Sequence, residues 1–162
     1  HPQLVPARLF GDSKAGHPVG AVHPHVAAAY PALTVERYGE ATLAEVDLVF
    51  AALPHGESQK IAPGILDRGI PFVDLGADFR LSSAADYERW YGEPHQAPDL
   101  LGRFVYGIPE LNRETIRSAQ AIAAAGCYPT AAILALKPLL DAGLAKPSGI
   151  IVDAASGVSG AG

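Results

Sequence analysis

The fold is decided by residues 46–75, which read VDLVFAALPHGESQKIAPGILDRGIPFVDL. Residues 46–52 are a nearly continuous apolar run bounded by turn signals, as buried strands of parallel sheets are. Residues 57–68 place apolar side chains on one helical face, although Pro63 weakens this helix. Residues 70–75 form a second apolar strand that is closed by a turn. Strand, helix and strand at this spacing predict a βαβ unit, and therefore an α/β fold with a parallel sheet.

Local patterns predict further elements on both sides of this unit. We expect helices at 84–91, at 113–118 with Asn112 as its cap, and from 127 to about 143 with a kink at Pro138. The segment around residues 17–25 contains Pro18 and Pro24 and should be extended. The expected strands are 4–10, 33–38, 104–106, 120–125 and 149–155.

The composition of the 162 residues is that of an ordinary globular protein, with 49% hydrophobic and 18% charged residues. A net charge of -5, without a cluster of Lys and Arg, argues against nucleic acid and anionic membranes as partners. No apolar run approaches the roughly 20 residues that span a bilayer, and the first residues do not resemble a secretory signal. We therefore expect a cytoplasmic protein. Because the chain has no methionine and ends in a glycine loop, we also expect an internal piece of a longer protein.

Cys127 is the only cysteine, so it cannot form an intramolecular disulfide. It lies in Gly126-Cys127-Tyr128-Pro129-Thr130, where Pro129 and the following Ala/Leu/Ile run suit the start of a helix. The unpaired N–H groups and positive dipole at that end favour a thiolate, which is a nucleophile. Gly126 leaves room for a ligand to approach the sulfur. A small buried hydrophobic cysteine is the alternative, and the Gly-Cys-x-Pro-Thr setting favours the functional interpretation.

Three histidines close together, His17, His23 and His25, raise the hypothesis of a metal site. Their spacing matches no zinc pattern and no cysteine lies nearby. We therefore expect exposed histidines in a proline-rich loop and no metal.

Five motifs in series resemble a known enzyme family. They are ALPHG at 52–56, LGADFRL at 75–81, YGIPE at 106–110, GCYPT at 126–130 and SGVSGAG at 156–162. Each motif alone is weak, but their order and spacing across essentially the whole chain resemble the N-acetyl-gamma-glutamyl-phosphate reductase family of arginine biosynthesis. Tyr128 and Pro129 after the cysteine favour this family over aspartate-semialdehyde dehydrogenase and the lysine-pathway reductase of carrier-linked aminoadipyl phosphate.

The resemblance implies NADPH-dependent reduction of N-acetyl-gamma-glutamyl phosphate to N-acetylglutamate semialdehyde, with Cys127 as the nucleophile and NADP as the cofactor. The chemistry of a thiolate agrees: it attacks the acyl carbon, phosphate leaves, and hydride converts the thioester to a thiohemiacetal that collapses to the aldehyde. One alternative is a related acyl-phosphate reductase. Another, from a different class, is a binding or assembly fragment in which Cys127 is inert or a redox sensor.

Arg80 is the candidate substrate-binding residue. It follows a strand end in Ala77-Asp78-Phe79-Arg80, and its guanidinium suits the phosphate or carboxylate of a dianionic substrate. An ion pair with Asp74 or Asp78 is an equally weighted structural alternative.

The candidate cofactor-binding residues lie in three loops. Pro54 and His55 follow a strand end, where His55 either lines the cofactor cleft or is a satisfied turn histidine. The loop at 11–14 lies where related folds read the cofactor ribose, so its side chains could meet a 2′-phosphate. The loop at 156–162 offers backbone amides to a phosphate or to the nicotinamide. The candidates in these last two loops are Ser13, Lys14, Ser156, Gly157, Ser159 and Gly160.

The resemblance also implies a Rossmann-like, doubly wound parallel sheet without its first strand, leading into the start of an α+β catalytic domain. We assign residues 1–126 to an incomplete NADP-binding domain and residues 127–162 to the start of a catalytic and dimerisation domain. The Gly-rich phosphate turn and the general-base histidine of the family would lie outside the chain. The expected partners are a small acyl phosphate and further copies of the protein, with no nucleic acid and no membrane.

Overall fold

The computed structural model describes residues 2–158, apart from the side chains of residues 40 and 41. The chain divides into two compact units, one that ends at Asp47 and one that begins at Leu48.

The first unit contains a short parallel pair of strands, β1 (Leu9–Phe10) and β2 (Val35–Glu36). Both strands are shorter than the alternating patterns predicted. Helix α1 (Val19–Val22) and a 3₁₀ turn at Pro24–Val26 occupy the segment that was expected to be extended. That expectation was wrong because Pro24 stands in the first turn of the 3₁₀ segment, where its missing N–H costs nothing. A second 3₁₀ turn covers Glu40–Leu43, and the buried apolar side chains are Val19, Val35 and Leu43.

The second unit contains a four-stranded parallel sheet with the order β3-β4-β6-β5. Its strands are β3 (Val49–Ala51), β4 (Phe72–Asp74), β5 (Phe104–Gly107) and β6 (Ala121–Ala124). A helix separates consecutive strands, which confirms the predicted α/β fold class.

Four helices belong to this unit: α2 (Ser58–Asp67), α3 (Ala84–Tyr91), α4 (Pro109–Ser118) and α5 (Cys127–Asp141). A 3₁₀ segment at Pro98–Arg103 leads into β5. Helix α3 begins at a Ser83 cap, whose Oγ accepts from the N–H of Asp86, and ends at Gly92, whose φ of 81° is the left-handed conformation that suits glycine. These local signals explain why α3 has its predicted bounds.

Two predictions for this unit were wrong. Helix α4 begins at Pro109 and not after Asn112, whose backbone is non-helical and whose Nδ2 donates to the carbonyl of Tyr106 at 2.9 Å. Pro109 at the first helical position is the start signal that the prediction overlooked. Residues 149–155 form no strand, and Ile151 is 90% exposed, because no described strand pairs with this segment.

The core of the second unit lies between α2 and the sheet. Ile65 and Phe72 are fully buried, and the ring of Phe79 stacks on that of Phe104 with centroids 3.8 Å apart. Phe72 also meets Phe104 edge to face, with ring centroids 6.0 Å apart, so the core extends from β4 to β5.

Candidate active site at the carboxyl edge of the sheet

Three turns follow the carboxyl ends of adjacent parallel strands. They are the 52–57 turn after β3, the 75–80 turn after β4 and the 125–126 turn after β6. β4 lies between the other two strands, and the register sets Ala51, Asp74 and Ala123 side by side. The three turns therefore meet at one edge, the edge at which open α/β sheets bind their ligands.

Cys127 is the first residue of α5, and it is exposed. Its exposure contradicts the alternative of a small buried hydrophobe. Gly126 is the N-cap, and within residues 2–158 no side-chain hydrogen bond caps the start of this helix. The positive end of α5 is therefore not used by a capping oxygen of the described residues, and a bound anion can take that place.

Arg80 lies between the ends of β4 and β6. Its Nε donates to the carbonyl of Ala124 at 2.9 Å and its Nη2 donates to the carbonyl of Leu75 at 3.0 Å. Within residues 2–158 it makes no ion pair with an aspartate, so the pairing considered from the sequence is not found. A Cβ placed on Gly126 would stand 3.0 Å from Nη1 of Arg80. The guanidinium thus lies directly beside the residue that precedes Cys127.

Asp78 is a fully buried carboxylate in the same turn as Arg80. Its Oδ1 accepts from the N–H of Gly56 at 2.8 Å and lies 3.2 Å from Nδ1 of His55. Its Oδ2 accepts from the N–H of Gln59 at 3.3 Å. Asp78 therefore satisfies the backbone donors of Gly56 and Gln59, and these bonds hold the 52–57 turn and the start of α2 in place.

His55 stands at the carboxyl end of β3 with its side chain 35% exposed. Its ring stacks on Tyr91 with centroids 4.6 Å apart. Its Nε2 lies 3.0 Å from the Oη of Tyr87 and 3.2 Å from Oε1 of Glu93. The ring is thus oriented by a buried carboxylate on one nitrogen and presents the other toward an exposed carboxylate.

A chain of hydrogen bonds through Gln59 and Tyr87 holds the ring of His55 in place. The amide Nε2 of Gln59 donates to the Oη of Tyr87 at 2.6 Å, and the N–H of Gln96 donates to Oε1 of Gln59. Burial, together with the nearby charge of Asp78, raises the pKa of Tyr87 to about 12. The phenol therefore stays protonated near neutral pH and can donate to His55.

His95 is a buried neutral histidine that holds the far side of the 75–80 turn. The N–H of Ala97 donates to its Nδ1 at 3.1 Å, which leaves Nε2 to donate to the carbonyl of Asp78 at 2.9 Å. Burial lowers the pKa of His95 below its ordinary value of 6.5, in agreement with this pattern of bonds.

Asp74, the last residue of β4, is also fully buried. Its Oδ1 accepts from Oγ of Ser58 at 2.7 Å and from the N–H of Gly76 at 2.9 Å. Its Oδ2 has no hydrogen-bond partner within the part of the chain that the structure describes. Burial raises the pKa of Asp74 above its ordinary value of 3.8, against the opposing effect of the Ser58 hydrogen bond.

The structure brings Pro54, His55, Arg80 and Cys127 to the same sheet edge. Ser13 and Lys14 are exposed in the loop after β1, which belongs to the first unit. Ser156 and Gly157 are exposed in irregular chain, and Ser159 and Gly160 lie outside the described residues.

The residues that sequence reasoning missed are the buried polar ones behind the site: Gln59, Tyr87, His95, and the capping role of Asp78. Apart from Ala97, which lies two positions from His95, the partners cited for them lie 17 to 37 positions away in the chain, so no local pattern marks them. The one available signal was Asp78 itself, because an aspartate just after a strand end suits the cap of a neighbouring helix.

Among residues 2–158, no group of three His, Cys, Asp or Glu side chains is placed to hold a metal ion. None of the helices described here is long and apolar enough to cross a bilayer.

Two domain families match the chain. The family described as "Semialdehyde dehydrogenase, NAD binding domain" matches residues 1–119, and the one described as "Semialdehyde dehydrogenase, dimerisation domain" matches residues 127–162.

Several curated proteins are similar over all 162 residues. A protein of Pseudomonas entomophila (strain L48) is 49% identical, and proteins of Ectopseudomonas mendocina (strain ymp) and Pseudomonas aeruginosa (strain UCBPP-PA14) are each 48% identical. All three carry the name N-acetyl-gamma-glutamyl-phosphate reductase. The match covers 100% of this chain and 47% of each relative, so the chain spans about half the length of the curated relatives it matches.

Proposed function

The chain belongs to the semialdehyde dehydrogenase family, and on that premise we propose that its protein reduces N-acetyl-gamma-glutamyl phosphate to N-acetylglutamate semialdehyde with NADPH. The observation that carries the proposal is the position of Cys127, exposed at the uncapped start of α5 beside the guanidinium of Arg80. The names of the relatives favour this acyl phosphate over those of the aspartate and lysine pathways. The proposal places the reaction in arginine biosynthesis and in the cytoplasm.

The residues at the sheet edge fit the nicotinamide end of a dinucleotide. Residues 52–55 are exposed along the turn after β3, so their backbone groups and the ring of His55 can line a cofactor. Bound NADPH supplies the hydride that reduces the acyl group. Ser13 and Lys14 are the candidates for reading the 2′-phosphate that separates NADP from NAD. Ser156, Gly157, Ser159 and Gly160 are candidates for contacting a phosphate group.

Cys127 performs the covalent step. Its Sγ forms a bond to the acyl carbon, the bond from that carbon to the phosphate oxygen breaks, and inorganic phosphate leaves with the electron pair. The product of this step is a thioester on Cys127. After reduction, the hydroxyl group of the thiohemiacetal loses its proton to solvent, the C–S bond breaks with its electron pair going to sulfur, and the aldehyde and the thiolate are released.

Arg80 supplies positive charge where the phosphate leaves. Two of its donors bond to main-chain carbonyls, which fixes the guanidinium, and Nη1 lies next to Gly126. A fixed charge beside the nucleophile stabilises an anion that develops in the transition state more than a mobile charge would.

Two organisational features complete the proposal. Residues 1–126 act as the NADP-binding domain and residues 127–162 begin the catalytic and dimerisation domain. The name of the family that matches residues 127–162 supports self-association of the protein.

The test is turnover by the protein expressed from its own gene, followed as NADP reduction from N-acetylglutamate semialdehyde and phosphate. We expect turnover with wild type, a loss of about 10³-fold or more in Cys127→Ser, and near-wild-type turnover in the neighbouring Tyr128→Phe. Faster turnover of aspartate semialdehyde would reassign the substrate. Full activity of Cys127→Ser would refute the covalent mechanism.

A further inference from the structure

The 75–80 turn bonds in two directions. Asp78 reaches toward β3, where it accepts from the N–H groups of Gly56 and Gln59 and contacts His55. Arg80, two residues later, reaches toward β6, where its Nε donates to the carbonyl of Ala124. Because β4 lies between β3 and β6, this one turn is bonded on one side to the segment that follows β3 and on the other to the last residue of β6.

The Asp78 bonds are shielded from water. The carboxylate is fully buried, so water does not compete for its oxygens, and its partners are two backbone N–H groups. Gly56 adopts a φ of 84°, a conformation that favours glycine, and its N–H is the donor at 2.8 Å. His95 holds the carbonyl of Asp78 at 2.9 Å, so the residue is fixed at its main chain as well.

The Arg80 bonds explain the glycine at position 126. Gly126 has φ −69° and ψ 159°, which any residue can adopt, so its backbone does not require glycine. A Cβ there would stand 3.0 Å from Nη1 and 3.4 Å from Cζ of Arg80. Since two carbonyls hold the guanidinium, it could not move aside without losing those bonds. The missing side chain lets Arg80 lie against the residue before Cys127.

We propose that Asp78 and Arg80 are positioning residues that set the two halves of the site separately: Asp78 fixes the 52–57 turn that receives the nicotinamide, and Arg80 fixes the 125–126 turn that presents Cys127. This inference rests on the proposed function. It adds Asp78 as a residue that acts through its neighbours, and it gives Arg80 a positioning role besides that of its charge. Independent hydrogen bonds from one turn would place the turn that receives the nicotinamide and the turn that presents Cys127 in a common frame, and the rate of hydride transfer depends on the distance from the hydride donor to the acyl carbon bound to Cys127.

The test compares two conservative variants, Asp78→Asn and Arg80→Lys, in the protein expressed from its own gene. The readouts are the dissociation constant of NADPH and the rate at which iodoacetamide, a neutral reagent, alkylates Cys127. In Asp78→Asn we expect NADPH binding to weaken about tenfold or more. In Arg80→Lys we expect alkylation to slow about fivefold or more. The alkylation rate in Asp78→Asn and the dissociation constant of NADPH in Arg80→Lys should each change by less than about twofold.

Matched controls come from the exposed surface of α3. Asp86→Asn and Arg89→Lys repeat the two substitutions outside the site and should change neither readout. Merely structural roles would lower the unfolding midpoint and shift both readouts together. A common shift, or no shift in either readout, overturns the proposal.

Amide hydrogen exchange in the wild-type protein tests the Asp78 bonds even if the variants fail to fold. The N–H of Gly56 should be protected before any cofactor is added, and fast exchange there would refute the role of Asp78. These outcomes are separate from those of the proposed function. Absence of NADPH binding by the wild-type protein, or full activity of Cys127→Ser, would refute the proposed function. The hydrogen-exchange and alkylation results would still test the roles of Asp78 and Arg80.

Discussion

Helices α2 and α5 begin at the same edge of one sheet, after β3 and after β6, and each contains a proline. α2 buries five of its residues, including the polar Ser58 and Gln59, and Asp78 satisfies the N–H of Gln59 at its start. α5 is more apolar along its length, yet none of its residues is buried, and no side chain among residues 2–158 caps it. One of its faces lines an open groove of about 340 Å³, bounded by Ala132, Ile133, Leu136, Lys137, Leu140 and Asp141.

The difference teaches that apolar composition and burial are separate properties of a helix. The sheet and the neighbouring turns determine what α2 buries, down to individual hydrogen bonds. α5 has the side chains for a core, but the described residues do not cover it. Its exposed start leaves Cys127 accessible, whereas the start of α2 is filled by a carboxylate.

The largest expected effect contrasts a buried and an exposed apolar side chain. Ile65→Ala in α2 should cost about 2–5 kcal/mol of unfolding free energy, because Ile65 is fully buried and the cavity cannot refill. Leu139→Ala in α5 should cost less than about 1 kcal/mol, because Leu139 is 44% exposed. Urea unfolding of both variants gives the comparison. Equal costs would mean that α5 is covered in solution, and the contrast between the helices would fail.

The next effect concerns hydroxyl groups. Tyr87→Phe removes the acceptor for Gln59, and an unsatisfied buried amide should cost about 1–3 kcal/mol. Tyr128→Phe, in the first turn of α5, makes the same chemical change on an exposed residue and should cost nothing measurable. Chemical denaturation at neutral pH measures both. If Tyr87→Phe left the free energy of unfolding unchanged, the side chain of Gln59 would have found another hydrogen-bond partner, and the polar network behind α2 would be adaptable.

The smallest effect is a dependence on pH. The folded pKa of His95 is lowered, so the unfolded state binds the proton more tightly. The contribution of neutral His95 to the free energy of unfolding is therefore fully present above about pH 6.5. It is lost as pH falls below that value, with a slope of at most about 1.4 kcal/mol per pH unit for one proton. His95→Gln keeps a donor and an acceptor but cannot titrate. If unfolding midpoints between neutral and mildly acidic pH shift equally in both proteins, His95 is not the cause.

The sequence predicted the parts of the fold that local patterns control. The helical face containing Ile65 predicted α2, and the two apolar runs predicted β3 and β4. The expected burial of the first run was wrong at Phe50, which is 55% exposed, because β3 lies at the edge of the described sheet. Residues 149–155 have the composition of a strand but form none, since a strand depends on a partner that local sequence does not specify. The α4 start was misplaced because Asn112 was favoured as a cap over Pro109 as a first helical residue.

The site was predictable in its chemically distinctive residues only. Cys127, Arg80 and His55 were identified from their types and from their positions after strand ends, and they lie at one sheet edge. The bonds that fix them were not predictable, because Tyr87 and Gln59 come from separate helices and meet only in the folded chain. The roles of all these residues in the reaction stay predictions.

The hydrogen bonds made by the 75–80 turn also bear on which substitutions the chain can tolerate. Asp78 and Arg80 bond mainly to backbone groups, namely the N–H groups of Gly56 and Gln59 and the carbonyls of Leu75 and Ala124. A backbone group survives almost any replacement of its own side chain. Positions 75 and 124 can therefore vary during evolution or in a mutational library without loss of the bonds, while positions 78 and 80 cannot. Much of the site's geometry thus depends on positions 78 and 80, while Leu75 and Ala124, which supply only carbonyl groups to Arg80, are free to vary.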